Sequence, residues 1–145
     1  MKKGTKILLG VISIVVIVIL VTLKLIDNLF SGMCGNEIVR SLNSTNNKYK
    51  VVIFKRDCGA TTGFSSQVSI LNSNEELRNE SGNLFISDCD HGKAPRAAWG
   101  GPEIKMKWLN KDTLELAYHK DARIFLQKYS YKEIFIKYEV INKSL

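Results

Sequence analysis

The chain has 145 residues, of which 45% are hydrophobic and 24% are charged, and its formal net charge is +7. This composition is typical of a folded protein and excludes a disordered, collagen-like or coiled-coil chain. About 112 residues follow residue 33, which is enough for one modest hydrophobic core.

The amino-terminal region contains an uncharged apolar run at residues 7–23. Extended to Ile26, this run would span about 30 Å as a helix, which is the thickness of a bilayer core. We therefore expect a transmembrane helix at residues 7–26 that contacts the lipid bilayer. It would follow a basic cytoplasmic tail at residues 1–6 and precede a stalk at residues 27–33.

The distribution of charge around this run predicts its orientation. Lys2, Lys3 and Lys6 precede the run, whereas the residues directly behind it carry little net charge. The positive-inside rule then puts the amino terminus in the cytoplasm and residues 34–145 outside. The sequence predicts a single-pass protein of the cell membrane with an extracytoplasmic domain.

Two alternatives to an uncleaved anchor fit the same start. A removable signal peptide also begins with basic residues and an apolar run, but residues 23–28 lack the small residues that cleavage requires. Lipidation of Cys34 would require a small residue where Met33 stands, and the apolar run ends about ten residues too early. We expect the uncleaved anchor, and both alternatives remain open at this point.

The external part is only mildly basic. Its surplus of Lys and Arg lies in residues 105–145, where acidic residues are interleaved with them. This pattern predicts a solvated face and no nucleic-acid partner, because nucleic-acid stripes carry clustered cations with exposed aromatics. A lysine-rich external face could bind an anionic envelope polymer through weak, salt-sensitive attraction.

The external part also has the pattern of a β domain. Residues 49–54 are apolar on both faces, as in a central strand, and residues 104–108 and 114–118 alternate around a predicted hairpin turn at residues 110–112. No segment shows a long helical stripe. We predict a mostly β fold, in which a small antiparallel sandwich or open barrel follows the transmembrane helix. The remaining predicted strands are residues 67–71, 83–87, 122–129 and 134–141, with a first strand or a helical turn at residues 37–42.

All three cysteines lie in the predicted external part, where disulfides survive. An odd number leaves one thiol over, so one structural bridge is expected. Bridging Cys34 and Cys58 would close a loop of about 25 residues and contribute on the order of 3 kcal/mol by the loop-entropy model. The residues alone leave the pairing open.

The block Arg56-Asp57-Cys58-Gly59-Ala60-Thr61-Thr62-Gly63-Phe64 resembles a family of small bacterial envelope proteins. Its members are membrane-anchored or lipoprotein-like and carry only a domain-of-unknown-function label. The similarity extends to residues 33–37 and to parts of residues 90–109. It implies a bridge between Cys34 and Cys58, with Cys89 as the odd thiol, and it implies no activity or cofactor.

The long irregular segment at residues 88–103 is the predicted binding loop. Asp88, Asp90, His91 and Trp99 offer charge and an aromatic surface there, and loops on a rigid sheet commonly display binding groups. The alternative for Trp99 is that it plugs one end of the domain. The carboxylates resemble the start of a calcium loop, but the twelfth position holds Trp99 and no acid.

These observations predict a tethered, non-catalytic domain that binds or organises an envelope partner, which includes protection of its own cell against a secreted factor. We expect no cofactor, no metal and no catalytic residue. The alternative is an envelope enzyme or metal-dependent module centred on the loop from Asp88 to His91, because cysteine, histidine and aspartate are also the residue types of a nucleophilic site.

Overall fold

The computed structural model describes residues 3–31, 33–59 and 62–142, and within the amino-terminal helix it describes the side chains of residues 8–26. The chain divides into two units, Met1–Met33 and Cys34–Leu145. The predicted tail at residues 1–6, the predicted stalk at residues 27–33 and the glycine-rich block therefore lie partly outside the described residues.

The first unit is one helix, α1 (Lys3–Ser31), which is longer than the predicted span at both ends. Its segment Leu8–Ile26 has a mean hydropathy of 2.9, which makes it long and apolar enough to cross a membrane. The hydroxyl of Thr22 donates to the carbonyls of Val18 (3.0 Å) and Ile19 (2.9 Å), so this polar group is satisfied inside the helix.

The second unit is a β domain, in agreement with the predicted class. Its strands are β1 (Gly35–Asn43), β2 (Tyr49–Asp57), β3 (Ser65–Asn72), β4 (Phe85–Asp88), β5 (Ile104–Trp108), β6 (Thr113–His119), β7 (Arg123–Gln127), β8 (Ser130–Tyr131) and β9 (Ile134–Ile141), with a short 3-10 helix at Asp90–Gly92. Residues 37–42 belong to a strand and not to a helical turn. Strand β8 was not predicted.

The strands form two sheets that share one core. The five-stranded sheet has the order β1-β2-β3-β4-β7, and the four-stranded sheet has the order β5-β6-β9-β8. Side chains of both sheets meet between them, so the domain is a sandwich. The buried members of this core are Tyr49, Val51, Ile53, Val68, Ile70, Leu84, Phe85, Cys89, Ala94, Ile104, Trp108, Leu114, Leu116, Tyr118, Ala122, Ile134 and Ile136.

One strand pair departs from the mostly antiparallel arrangement that was predicted, because β6 and β9 are parallel neighbours. A parallel pair needs a long crossover connection. Here residues 120–133 supply it, and they include β7, which crosses to the other sheet, and the short edge strand β8. The predicted hairpin between β5 and β6 is confirmed by their antiparallel pairing.

The outer face of the five-stranded sheet is partly covered by residues 73–83, which we call the covering segment. Its Gly82 amide donates to the side chain of Gln67 on β3 (2.6 Å), and its Arg78 and Glu80 carbonyls accept from Asn36 on β1. Because β2 lies between these two strands, the covering segment passes over Phe54, which is 0% exposed.

Candidate binding groove

One polar residue from each strand of the five-stranded sheet lies in a single row across its outer face. The register pairs each member with the next, in the order Asn36, Arg56, Ser65, Asp88 and Arg123. The adjoining row is largely apolar and runs through Phe54 and Ile86. A polar row beside an apolar one can hold a ligand that has both kinds of surface.

Arg56 is the buried member of the polar row, at 7% exposure. Its Nη1 donates to the side-chain oxygens of Asn36 (2.7 Å) and of Asn79 in the covering segment (3.2 Å). Both partners are neutral amides. Among the described residues no carboxylate forms an ion pair with Arg56. Burial lowers the pKa of its guanidinium, which nevertheless remains charged because free arginine titrates far above neutral pH.

Arg123 closes the row at the sheet edge and is paired. Its Nε donates to Asp88 Oδ1 (3.1 Å), and its Nη2 donates to Asp88 Oδ2. This hydrogen-bonded carboxylate raises the pKa of Arg123. Its guanidinium also stacks on the ring of Phe125, at 4.9 Å from the ring centroid. Phe125 stays 58% exposed beside it.

A groove of about 420 Å³ follows this part of the sheet face, and we call it the outer-face groove. Strand residues line it together with Thr62 and Gly63, which follow the disulfide in sequence. A smaller neighbouring cavity of about 270 Å³ shares several of these residues and adds Arg96. The outer-face groove is lined by Arg56, Cys58, Thr62, Gly63, Ser65, Ile86, Asp88, His91, Arg123 and Phe125.

Two of the four predicted loop residues line the groove. Asp88 and His91 do so, and Asp90 lies beside them with its carboxylate 2.6 Å from Lys93 Nζ. The hydrogen bond from Lys93 lowers the pKa of Asp90. Asp90 and His91 have φ angles of 42° and 58°, so the backbone here takes a left-handed turn.

The carboxylates of this loop contact cations of the chain itself. Asp88 accepts from Arg123 and from the Asp90 amide (2.8 Å), and Asp90 contacts Lys93. Across the part of the chain that the structure describes, no three His, Cys, Asp or Glu side chains are grouped so that they could hold a metal ion. The geometry therefore favours ion pairing over metal coordination for Asp88 and Asp90.

Trp99 lies apart from the groove, so the predicted loop divides into two places. Its indole Nε1 donates to Oγ of Ser66 (2.9 Å), and that hydroxyl is fully buried and donates to the Pro102 carbonyl (2.6 Å). A Cβ at Gly101 would come within 2.5 Å of the same Ser66 oxygen. This hydrogen bond holds the partly buried Trp99 against β3, outside the lining of the groove.

The disulfide joins Cys34 to Cys58, as the resemblance implied. It continues the β1–β2 pairing by one position, because Gly35 is paired with Asp57. Cys89 is a buried free thiol whose sulfur lies 3.9 Å from each of two backbone carbonyl oxygens. Burial raises its pKa, which disfavours the thiolate that a nucleophile requires.

Arg123 and Phe125 were not among the predicted site residues, and no binding role was predicted for Arg56. The signal for Arg56 was its position at the end of a strand that is apolar on both faces. Nothing in the sequence near residue 123 indicated that it would neighbour Asp88. The two strands β4 and β7 are distant in sequence and become neighbours only by pairing in the sheet.

The chain matches no family model, no curated protein and no solved structure. Its function is therefore inferred from its own residues, and the resemblance to the envelope family stays a prediction.

Proposed function

We propose that this protein is an uncleaved, single-pass membrane protein whose extracytoplasmic β domain is a non-catalytic binding module of the bacterial cell envelope. The amino terminus is cytoplasmic, and the outer-face groove is the binding site. The observation that carries the proposal is a buried arginine in an open groove without a carboxylate partner among the described residues.

The anchor is supported by the helix and by the cysteines. The segment Leu8–Ile26 supports an anchor, because it is long and apolar enough to cross a membrane. A disulfide between Cys34 and Cys58 persists in an oxidising compartment, which supports an external β domain. The basic residues before the helix support a cytoplasmic amino terminus.

A binding role is supported over catalysis by the state of the reactive groups. The disulfide occupies Cys58, the Cys89 thiol is buried, and the groove carboxylate of Asp88 is paired with Arg123. What the groove offers is instead a buried cation, a polar floor and an exposed aromatic ring.

The topology can be tested by labelling single new cysteines in intact cells with a membrane-impermeant maleimide. Lys137→Cys lies on the exposed outer face of the four-stranded sheet, and Lys3→Cys lies before the apolar run. We expect Lys137→Cys to react in intact cells and Lys3→Cys to react only after lysis, while the parent chain with its buried Cys89 serves as the unlabelled control. The reverse pattern would overturn the orientation, and loss of residue 3 from the mature chain would overturn the uncleaved anchor.

The binding site can be tested by introducing a photoreactive phenylalanine analogue into the full chain in its native membrane. Phe125 and Phe135 form a matched pair, because both are exposed, at 58% and 64%, on the outer faces of the two sheets. We expect a specific crosslinked product from position 125 and none from position 135. Equal products from both positions, or a product from 135 alone, would refute the groove.

A further inference from the structure

We propose that the outer-face groove binds a carboxylate, with Arg56 as the cation that receives it and Phe125 as the apolar contact for the group that carries it. This inference rests on the proposed function, because it names the ligand class of the same groove.

The first argument for a carboxylate ligand is the charge of the groove. Its lining contains two arginines, Arg56 and Arg123, and one aspartate, Asp88, so its arginine and aspartate side chains sum to +1. Arg123 is already paired with Asp88, so the uncompensated charge belongs to Arg56. A buried charge is costly unless it is paired, and a bound anion would supply the missing partner.

The second argument for a carboxylate ligand is the hydrogen-bonding capacity of Arg56. A guanidinium has five N–H donors, and the two hydrogen bonds of Arg56 to amide oxygens both use Nη1. The planar fork matches the two oxygens of a carboxylate, and such charge-assisted pairs are stronger than neutral hydrogen bonds. Asn36 on β1 and Asn79 in the covering segment hold the guanidinium in place.

The third argument concerns the group that bears the carboxylate, and it comes from the neighbouring apolar surface. Ile86 and Phe125 line the same groove as Arg56, and Phe125 is held by its stacking on Arg123. A ligand that has a carboxylate next to an apolar group would contact both surfaces at once. The proposed class is therefore an organic carboxylate, such as an acidic or terminal residue of an envelope peptide.

The size of the uncompensated charge favours a carboxylate over a phosphate. A carboxylate carries one negative charge, which equals the +1 of the groove, whereas a phosphate monoester carries about −1.5 to −2 at neutral pH. A phosphate would leave excess negative charge close to Asp88. Because of this difference in charge, a phosphate is a useful comparison ligand in the experiment.

The test is a titration of the isotope-labelled full chain in detergent micelles, followed by the amide NMR signals of Arg56, Asp88 and Arg123. Three probes share an aromatic ring: N-acetyl-phenylalanine, its uncharged amide, and phenyl phosphate. We expect the acid to shift these signals in a saturable manner, the amide to bind at least about 10-fold more weakly, and the phosphate to bind more weakly than the acid.

Two variants and one control sharpen the result. Arg56→Gln should weaken binding of the acid by about 10-fold or more, and Arg56→Lys by less, because lysine keeps the charge but loses the fork. Lys105→Gln removes the same charge from the exposed outer face of the four-stranded sheet and should leave binding unchanged. If Arg56→Gln does not fold, the comparison of acid and amide on the parent chain still decides the question.

Equal binding of the acid and the amide would overturn the carboxylate, as would tighter binding of phenyl phosphate or an equal loss in Lys105→Gln. Absence of any shift in the groove would also overturn it. The proposed binding role has a separate readout, since crosslinking from position 125 would still succeed if the groove took a ligand of another class.

Discussion

The outer faces of the two sheets differ in what covers them. On the five-stranded sheet, the covering segment leaves Phe54 at 0% exposure and Arg56 at 7%. On the four-stranded sheet, the outer face presents alternating charges to solvent, with Glu115 paired in register with a lysine on each side, and Phe135 there is 64% exposed. Both sheets share one core, so the difference does not come from their inner faces. It comes from the covering segment, which lies on the outer face of the five-stranded sheet.

This difference explains where a binding site can form. A solvated face of interleaved Lys and Glu compensates its own charges and needs no ligand. A face that is covered at one end buries a charge there and leaves a groove where the covering stops. The outer-face groove lies at that boundary, between Arg56 and the exposed Phe125.

The largest expected effect comes from the matched pair of phenylalanines on the two outer faces. Phe54→Ala should lower the free energy of unfolding by about 3–5 kcal/mol, as truncation of a fully buried aromatic does. Phe135→Ala should change it by no more than about 0.5 kcal/mol, because its side chain is largely in solvent. Urea unfolding of the full chain in detergent, followed by tryptophan fluorescence, measures both.

Similar losses in the two phenylalanine variants would mean that the covering segment does not bury Phe54 in solution. The comparison between the two faces would then fail. The same measurement on an Asn36→Ala variant, which removes the contacts to the Arg78 and Glu80 carbonyls, should give an intermediate loss.

The second effect concerns the edge at which β1 joins the covered sheet. Replacing both Cys34 and Cys58 by alanine should lower the free energy of unfolding by about 3 kcal/mol, because the unfolded chain loses the constraint of a closed loop. A reductant should bring the parent chain to the stability of this double variant and leave the variant unchanged. A parent chain insensitive to reductant would argue against the bridge.

The fold was predictable where the residue pattern of a single strand shows which of its two faces is buried. The alternation of Ile104, Met106 and Trp108 predicted which side of β5 is buried, and the doubly apolar β2 predicted a strand covered on both faces. The parallel pairing of β6 and β9 was not predictable from a strand pattern, because it depends on β7 leaving for the other sheet.

The groove was predictable only in part, for the same physical reason. The loop residues Asp88 and His91 were recognised by type, and they do line it. Arg56 and Arg123 are brought to the same groove only through the register of three successive strand pairs. Trp99 was assigned to the same loop by sequence proximity, whereas its indole N–H is directed to Ser66 on β3.

A smaller effect tests that separation of Trp99 from the groove. Trp99→Phe should cost about 1 kcal/mol of unfolding free energy, the typical contribution of one hydrogen bond. A double-mutant cycle with Ser66→Ala should return a coupling of similar size. Binding of N-acetyl-phenylalanine in the groove should stay unchanged; a loss of binding with unchanged stability would return Trp99 to the site.

The smallest effect concerns an exposed contact between the two sheets at their other end. Lys48, just before β2, pairs with Glu133, just before β9, and the hydrogen bond from Lys48 lowers the pKa of Glu133 from its ordinary value of 4.5 to about 2. A carboxyl whose pKa is lower in the folded state stabilises the fold above its unfolded pKa. That contribution is lost as the pH falls toward the pKa of the folded state.

In thermal unfolding, the Tm of the parent chain should therefore fall more than that of Glu133→Gln between about pH 5 and about pH 2, and the two Tm values should converge at the lower end. Added salt should narrow the gap at the upper end, because both side chains are solvent-exposed. Parallel curves for the two chains at low salt would show that the pair contributes nothing to the contact between the sheets.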